Sequence, residues 1–304
     1  MPPSTSAPYA SCARWLGMAA LLISTAGGPA SASVPRLDHV IVVIMENKSY
    51  DQVRTQPYIT NLITQGTVFT NSYAVTHPSL PNYIALWAAT TMGVTTDACP
   101  PPGAPYSVEN LGHRCEAAGL TWRSYSENLP AAGSTVCTAD SKRYTRKHDP
   151  WTYFSNLNHL NERPYSDLSL EISQGKLPRL AFVVPNNDHN MHDGTIAQGD
   201  AWLSNNVPPM LSAVGVKGMV VLTWDEDNDA SGNHILTVAV GPQVKPRYAS
   251  TATINHYGVV RMLCECLGLT PFAGASSQPS VGDIWVAPTP VQASTWGRIK
   301  TLYR

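Results

Sequence analysis

Short unbroken runs of apolar residues recur along the chain and predict strands that are buried on both faces. The clearest run is 40–45, which is rich in Val and Ile. Continuous runs of this kind are typical of the inner strands of a parallel sheet, where helices cover both faces. Three further segments have the same character, namely 180–184, 219–224 and 235–240.

Segments with the apolar spacing of amphipathic helices alternate with these runs. They are residues 58–65, 81–89, 111–118, 201–214 and 257–267. Alternating strands and helices predict an α/β fold with a mostly parallel central sheet and helices on both faces. The stretch 100–164 is richer in Pro, Tyr, Asn and basic residues, and we expect it to form a loop-rich insertion or cap on one side of the sheet.

The first 32 residues have the features of a secretory signal. Arg14 supplies a positive charge, residues 15–23 are apolar but too few to span a membrane, and residues 30–32 form a small-residue cleavage site. A disordered polar leader with a chance apolar patch is the alternative. Cys12 precedes the apolar run, which is the wrong side for a lipid-modified cysteine. We therefore expect a free exported protein, secreted or periplasmic, with one domain over residues 33–304.

Composition narrows the classes of partner. The 304 residues are 43% hydrophobic and only 13% charged, with a net charge of −1. Proteins that bind nucleic acids usually carry a strong basic excess, which this chain lacks. The chain also has no apolar run long enough for stable membrane insertion. We expect neither a nucleic-acid partner nor insertion into a membrane.

Five cysteines follow the predicted signal. Export permits disulfides, and a bond between Cys99 and Cys137 would close the Pro-rich, Ser-rich segment between them, so we favour this pair. Cys264 and Cys266 lie in the apolar segment 257–267. A Cys-x-Cys pair can bind metal, but no second Cys/His pair lies nearby in the sequence, so buried thiols are the preferred interpretation.

Acidic residues follow the predicted strands at the points where the strands end. Glu46 and Asn47 follow the run 40–45, and Asp225 and Glu226 follow the run 219–224. In open α/β sheets, ligands bind beyond the carboxyl ends of the strands. Carboxylates that converge without a cation repel one another, so this oxygen-rich group predicts a divalent metal ion. Helix capping and solvated loop acids are the alternative interpretation.

A second group of potential ligands follows the run 180–184. Asp188 and His192 are four residues apart, on one face of a turn or short helix, and His234 precedes the run 235–240. Oxygen and imidazole ligands suit a borderline ion such as Zn²⁺ or Mn²⁺. Each histidine alone is more often a hydrogen-bonded structural residue, but their shared position beside buried strands favours metal binding.

Ser79 is the nucleophile that the sequence favours. Pro81 suits the first turn of a helix, so Ser79 is expected just before a helix N-terminus, where free N–H groups attract anions. A nearby metal ion would lower the pKa of its hydroxyl. Asn82 is expected to donate to a phosphoryl oxygen, and His148 to act as a general acid. A simple helix cap is the alternative role for Ser79.

Three other residues have lesser expected roles. His77 is expected to orient the Ser79 turn, and His256 to act as a helix cap or as support behind the site. Asp200 is expected to cap the helix that holds Trp202 and Leu203.

Four motifs together resemble those of the bacterial and fungal phosphoesterase family. This family includes secreted acid phosphatases and phospholipases C and belongs to the alkaline phosphatase superfamily. The motifs are residues 45–51 (MENKSYD), 79–82 (SLPN), 190–193 (NMHD) and 224–226 (WDE). The resemblance extends over about residues 38–269, which is nearly the whole predicted mature chain.

The resemblance implies an alkaline phosphatase-like α/β sandwich and phosphoryl transfer through a phosphoserine. Ser79 matches the nucleophile position and Asn82 the position of oxyanion stabilisation. A first metal site would consist of Glu46, Asn47, Asp225 and Glu226, and a second of Asp188, His192 and His234. Some acid phosphatases of the family resemble one-ion enzymes in which histidines replace the second ion, so the resemblance leaves open whether this chain holds one ion or two. Glu226 stands where relatives have His, which makes the first site harder and leaves the choice among Zn²⁺, Mn²⁺, Ca²⁺ and Mg²⁺ open.

The resulting hypothesis is a secreted, metal-dependent acid phosphatase that acts on phosphomonoesters. The second hypothesis is a phospholipase C-like phosphodiesterase, which is disfavoured because the short chain has no obvious additional lipid-binding domain. The third is an exported phosphate- or glycan-binding protein that kept the fold and lost catalysis. Its Trp and Tyr content suits a binding surface, but such proteins usually lose the nucleophile or a ligand first, and here all are present.

Overall fold

A computed structural model describes residues 33–287, together with Met1 and Ser4. The predicted secretory signal with its cleavage site lies outside the described range. The helices, in chain order, are α1 (Tyr50–Val53), α2 (Pro57–Gln65), α3 (Ser79–Ala88), α4 (Leu111–Ala117), α5 (Ser166–Ser173), α6 (Ile196–Val214) and α7 (His256–Leu267). The strands are β1 (His39–Met45), β2 (Thr67–Tyr73), β3 (Trp122–Ser126), β4 (Thr138–Ala139), β5 (Tyr144–Thr145), β6 (Glu162–Pro164), β7 (Leu180–Val184), β8 (Gly218–Trp224), β9 (Thr237–Val240) and β10 (Tyr248–Asn255).

Eight of these strands form one sheet in the order β10-β2-β9-β8-β1-β7-β3-β6. Neighbouring strands are parallel except around β9, which runs antiparallel to both β2 and β8. Strands β4 and β5 form a separate antiparallel hairpin. The prediction of an α/β fold with a mostly parallel central sheet is confirmed.

Strand β1 shows why its sequence is an unbroken apolar run. Its even-numbered residues pack into a core with α3, α4 and α7 on one face of the sheet. Its odd-numbered residues pack into a second core with α2, α5 and α6 on the other face. Because both faces of the strand are removed from water, every position from 40 to 45 is apolar.

The segment 100–164 differs from the predicted one-sided cap, because it supplies two strands of the main sheet. Strands β3 and β6 lie inside it and extend the sheet beyond β7. Ser124 and Ser126 are buried on β3. Because these polar residues interrupt the apolar run, the sequence pattern did not predict the strand. The rest of the segment includes α4, the hairpin β4–β5 and short 3-10 helices.

Helix α6 begins earlier than its apolar spacing predicts. Thr195 caps its N-terminus, accepting the N–H of Gln198, so Asp200 lies within the helix and does not cap it. The Asp200 carboxylate instead accepts the N–H groups of Tyr58 and Ile59, both at 3.0 Å, at the start of α2. Asp200 therefore caps a helix as predicted, but the helix is α2, which is distant in the sequence, and not α6.

The cysteines of the described residues fall into two groups. Cys99 and Cys137 form a disulfide. Cys115, Cys264 and Cys266 are free and buried, and burial raises the pKa of the Cys115 thiol to about 12. The preferred interpretation of Cys264 and Cys266 as buried thiols agrees with this placement.

Among residues 33–287, no helix has both the length and the apolar character needed to cross a membrane.

Candidate active site

The carboxyl ends of β7, β1 and β8 meet at one edge of the sheet, as their sequence predicts. The three strands are adjacent and parallel. Glu46 follows β1 directly and Asp225 follows β8, and the N–H of Asp225 donates to the carbonyl of Met45 at 3.0 Å. The N–H of Asn47 donates to Asp225 Oδ1 at 3.2 Å. The predicted acidic cluster therefore forms at this edge of the sheet.

Ser79 lies against this cluster. It is the first residue of α3, after Pro78, and its side chain is buried, with 1% of the residue exposed. Its Oγ is 3.0 Å from Glu226 Oε1 and 3.3 Å from Glu46 Oε2. The hydroxyl has one proton, so either carboxylate can accept it. Ser79 is thus in the first turn of the helix and not just before it, and it faces two potential bases.

Two aromatic side chains complete the surroundings of Glu46. The hydroxyl of Tyr83 donates to Glu46 Oε1, and His148 Nε2 is 3.3 Å from the same oxygen. The rings of Tyr83 and His148 stack with centroids 5.1 Å apart. Tyr83 was not predicted from the sequence, although its position four residues after Ser79 places both on the same face of α3.

Burial dominates the electrostatics of the cluster. Burial raises the pKa of Glu46 to about 8, and the positive charge of Lys147 opposes this shift. The pKa of Asp225 lies well above its usual range because of burial and the charges of Glu46 and Glu226. Burial also raises the pKa of Glu226, against hydrogen bonds from Ser79 and His77. Three buried carboxyl groups of this kind require protons or a cation.

The cluster contains oxygen atoms of the kind that a hard divalent cation prefers. Asp225 Oδ2 and Asn47 Oδ1 are buried and have no hydrogen-bond partner. Asn47 also has a left-handed backbone, with φ 41°, of the kind that recurs at functional sites. Across the described part of the chain, however, no three or more His, Cys, Asp or Glu side chains are arranged as a group able to hold an ion. A cation site here would need the amide oxygen of Asn47 beside the carboxylates.

The three residues of the expected second metal site are not arranged as a clamp. The segment 187–194 consists of turns and bends, and a turn was one of the two conformations expected here. Each of the three side chains has another polar partner: Arg143 for Asp188 (2.9 Å), Asp193 for His192 (2.6 Å) and the carbonyl of Thr70 for His234 (2.9 Å). His192 nevertheless lies near the acidic cluster, since its ring centroid is 5.9 Å from that of His148.

Asn82 has a different role from the one its position suggested. Its Oδ1 accepts the N–H groups of Val75 and Thr76, at 3.0 and 3.1 Å. Its Nδ2 donates to the carbonyls of Thr76 and Pro78, at 2.7 and 3.1 Å. Because both amide hydrogens are used, Asn82 has none left for a phosphoryl oxygen. It holds the turn that leads into Ser79.

Two histidines support the carboxylates from behind. His77 Nδ1 lies 2.7 Å from Glu226 Oε2, so it orients the carboxylate that contacts Ser79. His256 begins α7 and its Nε2 lies 2.6 Å from the carbonyl of Asp225. Burial lowers the pKa of His256 to about 4, so its imidazole is neutral and donates this hydrogen bond. His256 lies where support behind the site was expected, whereas His77 contacts Glu226 and the turn before Ser79 is held by Asn82.

Comparisons with known proteins find one matching family and similar phosphatases. The model of the "Phosphoesterase family" matches residues 52–270. The chain is 40% identical over 276 residues to a phosphatidylinositol-3-phosphatase of Mycobacterium tuberculosis, covering 88% of this chain and 91% of that protein. It is 28% identical to an acid phosphatase of Aspergillus fumigatus, covering 75% of this chain but only 54% of the relative.

A solved structure supports the same architecture. A protein in the alkaline phosphatase superfamily from Vibrio parahaemolyticus superposes with a TM-score of 0.57 at 11% identity. The superposition covers 85% of this chain and 76% of that protein. At this identity the likeness concerns the fold alone.

Proposed function

Because the chain belongs to the phosphoesterase family, we propose that it is an exported, metal-dependent acid phosphatase that hydrolyses phosphomonoesters through a phosphoserine at Ser79. Membership of the family and the phosphatases among its relatives make the chain a hydrolase of phosphoric ester bonds. The observation that supports the rest is the buried Ser79 hydroxyl in the first turn of α3, in contact with Glu46 and Glu226.

The first chemical step is attack of Ser79 Oγ on the phosphorus atom of the ester. The bond from phosphorus to the leaving alcohol breaks, and the proton of Ser79 passes to Glu226, the nearer of its two acceptors. Water then attacks the phosphorus atom of the phosphoserine and gives one proton to His148. The bond from phosphorus to Oγ breaks, the proton held by Glu226 returns to Oγ, and phosphate is released. The positive end of the α3 dipole favours the negative charge of the phosphoryl group.

Glu46, Asn47, Asp225 and Glu226 would hold one divalent cation. When bound, such an ion lowers the pKa of a neighbouring hydroxyl and offsets the charge on the phosphoryl oxygens. The support for this ion is the set of unpartnered oxygens and the three buried carboxyl groups. For Asp188, His192 and His234, the contacts with Arg143, Asp193 and Thr70 favour structural roles, so the proposal uses one ion.

His148 remains the group proposed to protonate the leaving alcohol. Burial holds its pKa well below the usual range, so its imidazole is neutral in the free protein. A phosphate dianion bound beside Ser79 would favour the protonated imidazole. His148 would then give that proton to the departing oxygen.

Replacement of Ser79 by Ala tests the nucleophile. We expect turnover of p-nitrophenyl phosphate to fall more than about 10³-fold, with an unchanged circular dichroism spectrum. Ser173→Ala, on an exposed position of α5, is the matched control and should keep wild-type activity. Near wild-type activity of Ser79→Ala would reject the assignment. Removal of divalent ions with a chelator should also abolish turnover, and one added divalent metal should restore it.

A substrate panel separates the alternatives. The panel contains p-nitrophenyl phosphate, p-nitrophenylphosphorylcholine and phosphatidylinositol 3-phosphate, the last because of the name of the mycobacterial relative. Preference for the two monoesters supports the phosphatase, and preference for the choline diester would support a phospholipase C-like enzyme. A metal-replete protein that is inert on all three would favour the binding protein.

Export has its own test. If the signal is cleaved after Ala32, the protein recovered from outside the cytoplasm begins at Ser33. N-terminal sequencing of that fraction gives the answer, and an intact Met1 would contradict the proposal.

A further inference from the structure

Asp97 connects the helix that begins at Ser79 with the segment that carries His148. Its Oδ1 accepts the N–H of Leu80, the residue after Ser79, at 2.9 Å. Its Oδ2 accepts from Lys147 Nζ, also at 2.9 Å. The two side chains are only partly exposed, 31% for Asp97 and 19% for Lys147, so this ion pair is more shielded from water than a surface pair.

Lys147 extends the connection to the acidic cluster. It lies in a 3-10 turn, Arg146–His148, directly before the histidine that contacts Glu46. Burial alone would lower the pKa of Lys147, but the charge of Glu46 and the bond to Asp97 raise it. The lysine is therefore charged, and its ammonium group is attracted by acids on both sides.

The disulfide joins the two segments that bear this ion pair. Cys99 is two residues after Asp97, and Cys137 begins the approach to the hairpin β4–β5. The N–H of Arg146 donates to the carbonyl of Cys137 at 2.9 Å. The chain from Cys137 to Lys147 is thus closed at one end by the disulfide and at the other by the ion pair.

We propose that Asp97 and Lys147 are positioning residues that hold Ser79 and His148 at their contacts with the two carboxylate oxygens of Glu46. The Cys99–Cys137 disulfide fixes the two segments that carry Asp97 and Lys147. The inference rests on the proposed function, since its readout is turnover. A misplacement of about 1 Å between reacting groups can cost about 100-fold in rate, so a remote ion pair can affect kcat without touching substrate.

Two neutralising variants test the ion pair. Asp97→Asn keeps an oxygen for the N–H of Leu80 and loses the charge, and Lys147→Met removes the ammonium group. We expect each to lower kcat about 10- to 100-fold with little change in KM, because binding is retained and alignment is lost. The double variant should be no worse than either single variant, and Lys147→Arg should recover most of the activity.

Matched controls separate positioning from folding. Asp38→Asn removes the charge from another 2.9 Å pair, with Arg179, near the start of β1, and should leave kcat unchanged. Asp97→Ala also removes the acceptor for Leu80. If Asp97 only capped α3, the variants Asp97→Asn and Lys147→Met would keep wild-type kcat, and only Asp97→Ala would lose thermal stability. That result would overturn the ion-pair proposal.

The disulfide is tested by the double variant Cys99→Ser/Cys137→Ser and by a phosphine reductant. We expect the double variant to lose kcat with KM retained, the reduced wild type to match it, and the reductant to have no effect on the variant. Wild-type kcat in both would overturn the role of the disulfide. The wild type and Ser79→Ala accompany every series. If both are equally inert on phosphomonoesters, the proposed function fails; if only Ser79→Ala is inert, the positioning variants alone decide the inference.

Discussion

The molecule contains two groups of buried acids, and the two groups are neutralised differently. At the sheet edge, Glu46, Asp225 and Glu226 come from strand ends that are far apart in the sequence. In the segment 137–162, the partners of the acids are local: Tyr144 donates to Asp149 at 2.8 Å, and His159 Nδ1 lies 2.8 Å from Glu162 Oε1. The second group has its cation and donors within the same short stretch of chain.

The difference indicates which group is suited to chemistry. The local group includes Arg146, whose charge opposes the effect of burial on both Asp149 and Glu162. The sheet-edge group has Lys147 as a partial counter-charge. Both groups contain buried oxygens without donors, Asp149 Oδ1 and Glu162 Oε2 in the local group and Asp225 Oδ2 and Asn47 Oδ1 at the sheet edge. The acids at the sheet edge differ in that they contact the hydroxyl of Ser79. Acids with local partners support the fold, whereas acids that converge from distant strands retain capacity to bind a cation and substrate.

The largest effect that this contrast predicts is for Glu46→Gln. Loss of this carboxylate should lower kcat about 10²- to 10³-fold, because Glu46 lies at the contact of Ser79, Tyr83 and His148. In the presence of a chelator the variant should unfold at the same or a higher temperature than the wild type, because one buried carboxyl is removed from a repelling group. Steady-state kinetics and thermal melts measure both. A stable variant with wild-type kcat would show that the acids at the sheet edge do not serve the chemistry.

An intermediate effect is predicted for Asp149→Asn, and it concerns how the free energy of unfolding depends on pH. Burial holds the folded-state pKa of Asp149 well above its ordinary value, so the folded protein binds the proton more tightly than the unfolded chain. The stability from this group is complete below about pH 4 and is lost as the pH rises toward the folded-state pKa, by at most about 1.4 kcal/mol per pH unit.

Asparagine cannot ionise, so Asp149→Asn should reduce this decline. Urea unfolding of both proteins between acid and neutral pH, with a chelator present, measures the change. The groups that face Asp149 are Tyr144, Arg146 and Glu162, and they are unchanged in the variant. Parallel pH profiles of the two proteins would show that Asp149 does not contribute.

The smallest effect is predicted for Asp200, a buried acid with no place in either group. Its carboxylate caps α2 through Tyr58 and Ile59. Asp200→Ala should cost about 1–2 kcal/mol of unfolding free energy, since two N–H groups lose their acceptor, with kcat unchanged. Asp200→Asn keeps one oxygen and should lose less. A fall in kcat would show that acids outside the two groups also serve the site.

The sequence predicted the sheet edge well because its elements are apolar runs with acids at their ends. Strands β1, β7 and β8 and the cluster of Glu46 with Asp225 follow from this pattern. Strand β3 was missed because its buried serines interrupt the apolar pattern. Strand β9 begins at Thr237, two residues after its predicted start, and it runs antiparallel, a direction that apolar spacing does not encode.

Side-chain partners were harder to predict than elements. Asn82 was expected to donate to a phosphoryl oxygen, but its four hydrogen bonds go to residues of the turn 75–78, and the sequence does not reveal bonds of this kind. Asp97 and Lys147 are 50 residues apart and carry no motif, so only the folded chain joins them. The contact of Asp188 with Arg143, 45 residues earlier in the chain, likewise competes with the metal role that its spacing suggested.

The most direct test of the central claim is to identify the phosphorylated residue during turnover. The metal-replete protein is mixed with p-nitrophenyl phosphate, quenched in acid within the first turnovers and digested for mass spectrometry. The account predicts one phosphoryl group on Ser79, on the peptide that contains residues 79–82, and none in Ser79→Ala. A phosphoryl group on another residue of the active wild type, or the same labelling in Ser79→Ala, would contradict it.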